Sequence, residues 1–142
     1  MQELSVFFAH HYLMSIAIII VAILLTIIEF MRLRRLRFRV PPTRVTQLLN
    51  KDKAIVIDIR SPEAYRNGHI THAISLSQQE IREKTKKLDK YKSRPIIIVC
   101  ENGVESQKLA AWLIKQGYPC HSLTGGMRSW SEAGMPLIKE SS

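Results

Sequence analysis

The apolar residues of this chain are concentrated near its start. Residues 13–28 read LMSIAIIIVAILLTII, a run without a single charged side chain. Its two hydroxyl residues, Ser15 and Thr26, can bond to carbonyl groups of the preceding helical turn. About 20 apolar residues are enough for a helix to cross the roughly 30 Å hydrocarbon core of a bilayer. The pattern therefore predicts one transmembrane helix over residues 12–31.

Positive charge follows this run and none precedes it. Five arginines lie directly beyond it: Arg32, Arg34, Arg35, Arg37 and Arg39. A cleaved signal peptide has its basic residues first and a small-residue cleavage site afterwards, so a retained anchor is favoured over a signal peptide or a buried core helix. Because basic flanks mark the cytoplasmic side, we expect residues 1–11 outside and the C-terminal domain in the cytoplasm. Residues 32–42 form a basic linker that also attracts anionic lipid headgroups.

Beyond Pro41-Pro42, short strand-like runs alternate with helical patterns. The strand-like runs are 54–58, 73–76, 96–100 and 120–123, and the helical segments are 43–50, 62–67, 78–88, 106–115 and 127–133. Ser61 and Pro62 are typical of a helix start. Strands that alternate with helices predict an α/β domain with a mainly parallel sheet and with functional loops at the carboxyl ends of its strands. We assign this domain to residues 43–138, followed by a tail over 139–142.

The formal net charge of +9, from 21 Lys and Arg against 12 Asp and Glu, raises the question of nucleic-acid binding. Six of the basic residues lie between positions 32 and 44, where the orientation of the anchor accounts for them. The remaining chain has no basic stripe interleaved with aromatic residues, so nucleic acid is not expected as a partner. Two cysteines are too few for a disulfide framework, which agrees with a cytoplasmic domain.

Cys100 is the candidate nucleophile. It ends the run 96–100, and the next six residues lead into a predicted helix: Glu101, Asn102, Gly103, Val104, Glu105 and Ser106. With Gly103 free to adopt a positive φ, this loop can turn several backbone N–H groups inward beside a helix N-terminus. Such a cradle favours a thiolate, and it can bind a persulfide, a sulfur oxyanion or a phosphate. The alternative role of Cys100 is that of a small buried residue.

The motifs around this loop resemble those of the rhodanese-like domain family. They are Val56-Ile57-Asp58-Ile59-Arg60, Gly68-His69-Ile70, Ile97-Ile98-Val99-Cys100 and Leu123-Thr124-Gly125-Gly126-Met127, with Trp130 after them. The resemblance covers residues 40–137. It implies a rhodanese-like α/β domain with a parallel central sheet flanked by helices, preceded here by one N-terminal transmembrane helix. The chain is similar to small membrane-tethered members of bacteria, so we expect the bacterial inner membrane.

The resemblance also implies an activity. In active members the cysteine that matches Cys100 accepts a sulfane sulfur, becomes a persulfide and passes the sulfur to a thiophilic acceptor. The backbone of residues 101–106 would bind the persulfide and the substrate anion. This is covalent catalysis in two steps, and it needs neither a metal nor an organic cofactor. The implied partners are a sulfane-sulfur donor and a thiol or other thiophilic acceptor.

Other polar residues are expected to have structural roles. The spacing of Asp58, Arg60 and Glu63 suits an ion-pair network that joins a strand end to the next helix, rather than a catalytic cluster. His69 and His72 are not expected to act as a base or as ligands. Cys120 lies in a predicted buried strand and is not expected to be a resolving thiol.

The loop also departs from the family pattern. Many members carry an arginine where this chain has Glu105, and Glu101 adds a second carboxylate. These charges oppose a thiolate and repel anionic donors, so we expect a protein or low-molecular-weight persulfide to be a better donor than thiosulfate. Ser106 stands where a cysteine phosphatase needs an arginine, which disfavours that activity. Two hypotheses stay open: a membrane-anchored sulfurtransferase, and a catalytically weak binding module that contacts other membrane proteins.

Overall fold

The computed structural model describes residues 11–140, with only the backbone of residues 35 and 36. Residues 1–10 of the predicted external segment and residues 141–142 of the predicted tail lie outside the described residues. The chain divides into a first unit that ends at Leu36 and a second that begins at Arg37. Each unit is built by its own local sequence pattern.

The described residues of the first unit form the helix α1 over Tyr12–Leu36. Its segment Tyr12–Arg34 is long and apolar enough to cross a membrane, and a signal sequence near an N-terminus would have the same properties. The helix continues past residue 31 into the arginines. There the Arg34 guanidinium lies 4.5 Å from the centre of the Phe30 ring, and Arg32 lies 3.9 Å from Glu29.

The second unit is built on a parallel sheet of five short strands. These are β1 (Arg39–Val40), β2 (Ile55–Asp58), β3 (Ile74–Ser75), β4 (Ile96–Val99) and β5 (Cys120–Leu123). Their order is β1-β5-β4-β2-β3, and every neighbouring pair is parallel. The prediction of a parallel central sheet flanked by helices is confirmed.

The remaining elements are helices that cover both faces of the sheet. They are α2 (Pro42–Lys51), α3 (Pro62–Asn67), α4 (Gln78–Glu83), a 3₁₀ helix (Thr85–Tyr91), α5 (Val104–Lys115) and α6 (Gly126–Glu132). One core cluster joins α2 and α6 to Val56 and Ile97, and the other joins α4, the 3₁₀ helix and α5 to Ile57 and Ile98. Because successive strand residues point to opposite faces, the apolar run of each central strand supplies both clusters.

Strand β1 lies within the segment that the sequence indicated as a linker. The carbonyl of Phe38 accepts a hydrogen bond from Ser122 at 2.7 Å, and that of Val40 accepts one from Thr124 at 2.9 Å. Two residues are too few for a period of two to be visible, and Pro41 ends the strand at once because proline has no N–H to donate.

The predicted helix over 78–88 is divided in the structure. Helix α4 ends at Glu83, and Lys84 leaves the helical region with φ −123° and ψ 43° before the 3₁₀ helix begins. The Thr85 hydroxyl donates to the carbonyl of Ile81 at 2.9 Å. Side chains of this kind compete with the backbone for its carbonyls, which favours a helix end.

Candidate functional site

The site lies at the carboxyl edge of the two central strands. Asp58 of β2 is in register with Val99 of β4, and the Ile59 N–H donates to the Val99 carbonyl at 3.0 Å. The residues that follow these strands, Arg60 and Cys100, therefore emerge side by side. Both line a pocket of about 510 Å³, together with other residues of the adjoining loops and helices: Ile59, Ser61, Ala64, Gln78, Glu101, Asn102 and Glu105.

The Cys100 sulfur sits in a cradle of hydrogen-bond donors. The backbone N–H groups of Gly103 and Ser106 donate to Sγ at 3.1 and 3.3 Å. The Ser106 hydroxyl lies 3.2 Å from Sγ and 3.1 Å from the Ser122 hydroxyl, and both serines are buried. When the sulfur is a thiolate, the Ser106 hydroxyl is placed to donate to it as well. Three donors on one sulfur stabilise a negative charge there.

The loop geometry explains how these donors converge. Gly103 adopts φ +85° and ψ −1°, and α5 begins at the next residue, two positions earlier than the sequence indicated. The Asn102 side-chain oxygen accepts from the Val104 N–H at 3.1 Å. Within residues 11–140, the N–H groups of Asn102 and Glu105 donate to no backbone or side-chain acceptor. The loop and the first turn of α5 therefore offer further donors to an anion beside Cys100.

Helix α6 donates hydrogen bonds to the backbone of the loop. The Met127 N–H donates to the Cys100 carbonyl at 2.8 Å, and the Arg128 N–H donates to the Glu101 carbonyl at 3.1 Å. Gly126 makes this approach possible, since a Cβ atom there would lie 2.6 Å from the Glu101 oxygen and closer still to that of Cys100. The N-terminus of a second helix thus fixes the direction of the loop.

Asp58 and Arg60 form a buried ion pair at the side of the pocket. The Asp58 carboxylate accepts from Arg60 Nε at 3.0 Å and from Nη2 at 2.7 Å, and Nη2 also donates to the Gly68 carbonyl at 2.6 Å. Burial lowers the pKa of Arg60, but the hydrogen bonds and charge of Asp58, with a smaller part from Glu101, outweigh it and raise that pKa overall. The pair connects the end of β2 to the end of α3.

The two carboxylates of the loop lie at the rim of the pocket. The Glu101 side chain is 70% exposed and lies 3.3 Å from Arg60 Nη1. The Glu105 side chain is 55% exposed and lies 3.3 Å from Lys108. Residues 101–106 contain no basic side chain, and Arg60 is the cation next to them. Asp58 already neutralises most of the charge of Arg60. The rim of the pocket therefore remains acidic.

Three of the remaining predicted residues lie apart from the sulfur. Glu63 is exposed in the first turn of α3 and forms no ion pair or side-chain hydrogen bond within residues 11–140, so it does not join the Asp58–Arg60 pair. His69 is buried and stacks on Tyr65, with 3.9 Å between ring centres, while its Nδ1 lies 2.9 Å from the Tyr65 carbonyl. His72 is exposed in the turn before β3.

Cys120 lies at the other end of the sheet. It pairs with Ile96 at the start of β4, four residues before Cys100, which corresponds to about 13 Å along a strand. Its side chain is 3% exposed, and burial raises the pKa of its thiol to about 12. A buried neutral thiol at this distance is not placed to resolve a persulfide on Cys100.

Two contributors to the site were missed by sequence reasoning. Ser122, which holds the Ser106 hydroxyl, had only a weak signal as a polar residue within the short buried strand β5. Gly126 belonged to a recognised motif, but its contact with the Cys100 carbonyl follows only from the three-dimensional structure. Among the described residues, no group of three or more His, Cys, Asp or Glu side chains is arranged to hold a metal ion.

The family of the chain follows from comparison with known proteins. The Rhodanese-like domain family matches residues 41–133. The chain is 31% identical to the uncharacterised protein YibN of Escherichia coli over 141 residues, which is 98% of this chain and 99% of YibN. It is 37% identical to the thiosulfate sulfurtransferase GlpE of Pseudomonas putida over 93 residues, which is 65% of this chain and 83% of GlpE.

Solved structures agree with this assignment. The rhodanese-related protein of Thermoplasma volcanium superposes with a TM-score of 0.65 at 26% identity, covering 72% of this chain and 98% of that protein. A thiosulfate sulfurtransferase of Pseudomonas aeruginosa shares the fold, with a TM-score of 0.63 at 21% identity, over 73% of this chain and 20% of that enzyme. The chain belongs to the rhodanese-like domain family, and its relatives include proteins named as sulfurtransferases.

The contact between Gly126 and the loop predicts the effect of one methyl group. Gly126→Ala forces the loop carbonyls of Cys100 and Glu101 away from α6, so we expect the reactivity of Cys100 toward iodoacetamide to change at least about threefold and the domain to lose roughly 1–3 kcal/mol of stability. Gly134→Ala is the matched control, because Gly134 has a similar φ of +68° but no atom within 4 Å of the added Cβ. Equal effects of the two variants on Cys100 reactivity would contradict the proposed contact.

Proposed function

We propose that this protein is a membrane-anchored sulfurtransferase that carries sulfane sulfur as a persulfide on Cys100. The observation that carries the proposal is the pair of backbone N–H donors to the Cys100 sulfur, from Gly103 and Ser106, with the Ser106 hydroxyl 3.2 Å away and able to donate to a thiolate. A cradle of this kind stabilises the thiolate before reaction and the persulfide anion after it. The family and the sulfurtransferase names of its relatives support the same chemistry.

The reaction proceeds in two displacements on sulfur. The Cys100 thiolate attacks the terminal sulfur of the donor, a new S–S bond forms, and the donor leaves as a thiolate with the electron pair of the broken S–S bond. A thiolate acceptor then attacks the terminal sulfur of the persulfide, and Cys100 leaves as a thiolate. No net oxidation occurs, and each step regenerates one thiolate. The N–H groups of the loop hold the negative charge at each stage.

The acidic rim points to the class of donor. Thiosulfate is a small dianion, and on entering it would meet Glu101 and Glu105, while Arg60 is already paired with Asp58. A persulfide borne on a thiol or on a protein brings less negative charge to the pocket. We propose such a persulfide as the donor and a thiol as the acceptor.

Persulfide formation can be tested directly by mass spectrometry. The full chain, purified in mild detergent and incubated with a low-molecular-weight persulfide, should gain about 32 Da, the mass of one sulfur atom, on Cys100. Cys100→Ser should gain nothing, and Cys120→Ser should react as the unchanged protein does, because Cys120 is buried. A folded chain that never acquires the adduct would count against the proposal.

The role of the rim carboxylates predicts a change in donor preference. Replacing both by amides, Glu101→Gln with Glu105→Gln, should raise kcat/KM for thiosulfate by about three- to tenfold, a modest factor because both groups are exposed. The rate with a neutral persulfide should change little. Glu132→Gln removes an exposed carboxylate that does not line the pocket and should leave both rates as they were. An unchanged thiosulfate rate in the double variant would exclude the rim as the cause of selectivity.

We further propose that α1 is retained as the membrane anchor, with the domain on the cytoplasmic side. The basis is the order of charges, with an uncharged apolar helix followed directly by arginines. The match to YibN covers 98% of this chain and therefore includes the segment of the helix as well as the domain, which supports treating the two as one unit of function.

This arrangement predicts the behaviour of a reporter fused after Ser142. Alkaline phosphatase there should be inactive and green fluorescent protein should fluoresce, because the fusion point lies in the cytoplasm. The chain should resist extraction from membranes by alkaline carbonate. Active alkaline phosphatase would reverse the topology, and release by carbonate would indicate a cleaved or peripheral segment.

A binding module is the second candidate. Val104 is 48% exposed and lies in the sequence between the two rim carboxylates, so one exposed segment carries an apolar side chain and two acidic ones. A surface of this composition suits a basic protein segment. Membrane-protein partners that co-purify equally with the unchanged chain and with Cys100→Ser, in a protein that forms no persulfide, would favour this role.

A further inference from the structure

A second cavity lies at the edge of the sheet opposite Cys100. It has a volume of about 560 Å³ and is lined by residues of α2, β2, α6 and the turn before β3. Its floor includes Ile70 and Trp130, which are almost fully buried, and its wall includes Leu49 and Met135. Nothing in the sulfur chemistry proposed above uses this cavity.

Three basic side chains line the cavity, and each stands two residues before a strand. Lys53 precedes β2 at Ile55, His72 precedes β3 at Ile74, and Arg94 precedes β4 at Ile96. These strands are neighbours in the order β4-β2-β3, and neighbouring strands are about 4.8 Å apart. The cavity therefore brings together three basic residues that precede adjacent strands.

No acidic side chain in the described part of the chain pairs with these three basic residues. Lys53, His72 and Arg94 are exposed, and none of them forms an ion pair or a side-chain hydrogen bond within residues 11–140. No acidic residue in this part of the chain lines the cavity. Two basic groups and an imidazole around an apolar floor suit a ligand with a phosphate group and a short apolar part.

The backbone at two of these positions is unusual. Lys53 has φ +49° and His72 has φ +61°, and they are the two non-glycine residues with positive φ in the described part of the chain. Residues other than glycine rarely adopt a positive φ, and those that do are concentrated at functional sites. Both of them line the same cavity, which supports a role for this edge beyond packing.

The proposed membrane anchor supplies a source of phosphate groups. A domain tethered to a membrane is held close to anionic phospholipid headgroups, and these attract basic side chains. This step rests on the anchor proposed above.

We infer that the cavity rimmed by Lys53, His72 and Arg94 is a binding site for a phosphate-bearing anion, with an anionic phospholipid headgroup as its source. The phosphate would lie among the three basic side chains, and the glycerol and first methylene groups would lie against Leu49 and Met135. Binding here leaves the Cys100 pocket open at the opposite edge of the sheet.

Hydrogen–deuterium exchange of the full chain in lipid nanodiscs tests this inference. Discs of phosphatidylcholine are compared with discs that also contain phosphatidylglycerol, and a third sample has phosphatidylcholine discs with added glycerol phosphate. A ligand in the cavity should slow the exchange of residues 49–54 and 70–72 by at least about threefold. Slowing in the phosphatidylglycerol discs alone identifies the lipid, and slowing by glycerol phosphate identifies a soluble source.

Two triple variants make the test specific. The first variant removes the three basic residues of the cavity through Lys53→Asn, His72→Asn and Arg94→Gln. Asparagine tolerates the positive φ of the first two positions. This variant should lose the protection. Arg66→Gln, Lys86→Gln and Lys139→Gln remove exposed basic residues that do not line the cavity and should keep it.

Three results would overturn the inference: no slowing in any sample, slowing that survives in the first triple variant, or slowing that both variants abolish equally. A chain that does not enter the discs contradicts the anchor instead. In that case glycerol phosphate added to the same chain in detergent still decides whether the cavity binds a phosphate. Persulfide formation on Cys100 is measured separately and should be the same in both variants.

Discussion

The register between β2 and β4 is the constraint on which the rest of the domain depends. Ile55 pairs with Ile96 and Asp58 with Val99, so the two central strands begin and end together. Because all five strands are parallel, every strand-to-helix loop leaves at one edge of the sheet and every helix-to-strand loop returns at the other. A shift of β4 by one residue would turn its side chains to the opposite faces of the sheet and would move Cys100 away from Arg60.

This register brings backbone donors and carboxylates together at the carboxyl edge of the sheet. The backbone N–H groups of the loop donate to the Cys100 sulfur, and the N-terminus of α6 donates to the Cys100 carbonyl. Glu101 and Glu105 are exposed to solvent beside them. The N–H groups act at about 3 Å in a buried setting, whereas the carboxylates act through water. Water screens the carboxylates strongly, so the N–H groups act on the sulfur itself and the carboxylates act mainly on approaching substrates.

The parts of this fold that were predictable from sequence are those with long or distinctive patterns. The apolar runs of β2 and β4, the Ser61-Pro62 helix start and the position of Cys100 after a buried strand all carry local signals. Strand β1 was missed because two residues have no period, and the break after α4 was missed because the charge pattern continues through it. Three other features depend on tertiary distances, which no local pattern encodes. They are the close approach of Gly126 to the Cys100 carbonyl, the hydrogen bond between the Ser122 and Ser106 hydroxyls, and the separation of Glu63 from Arg60.

The Asp58–Arg60 pair links the site to the fold more closely than either residue does alone. A buried carboxylate without a partner is costly, so Asp58 requires Arg60, and Arg60 in turn requires the Gly68 carbonyl at the end of α3. The next residue, His69, is fixed by its stacking on Tyr65 and by backbone bonds to Ile138 near the end of the domain. The wall of the pocket is thereby tied to segments distant in sequence. Removal of the Arg60 charge would consequently disturb the position of α3 and the C-terminal segment together, even though neither of them touches the sulfur.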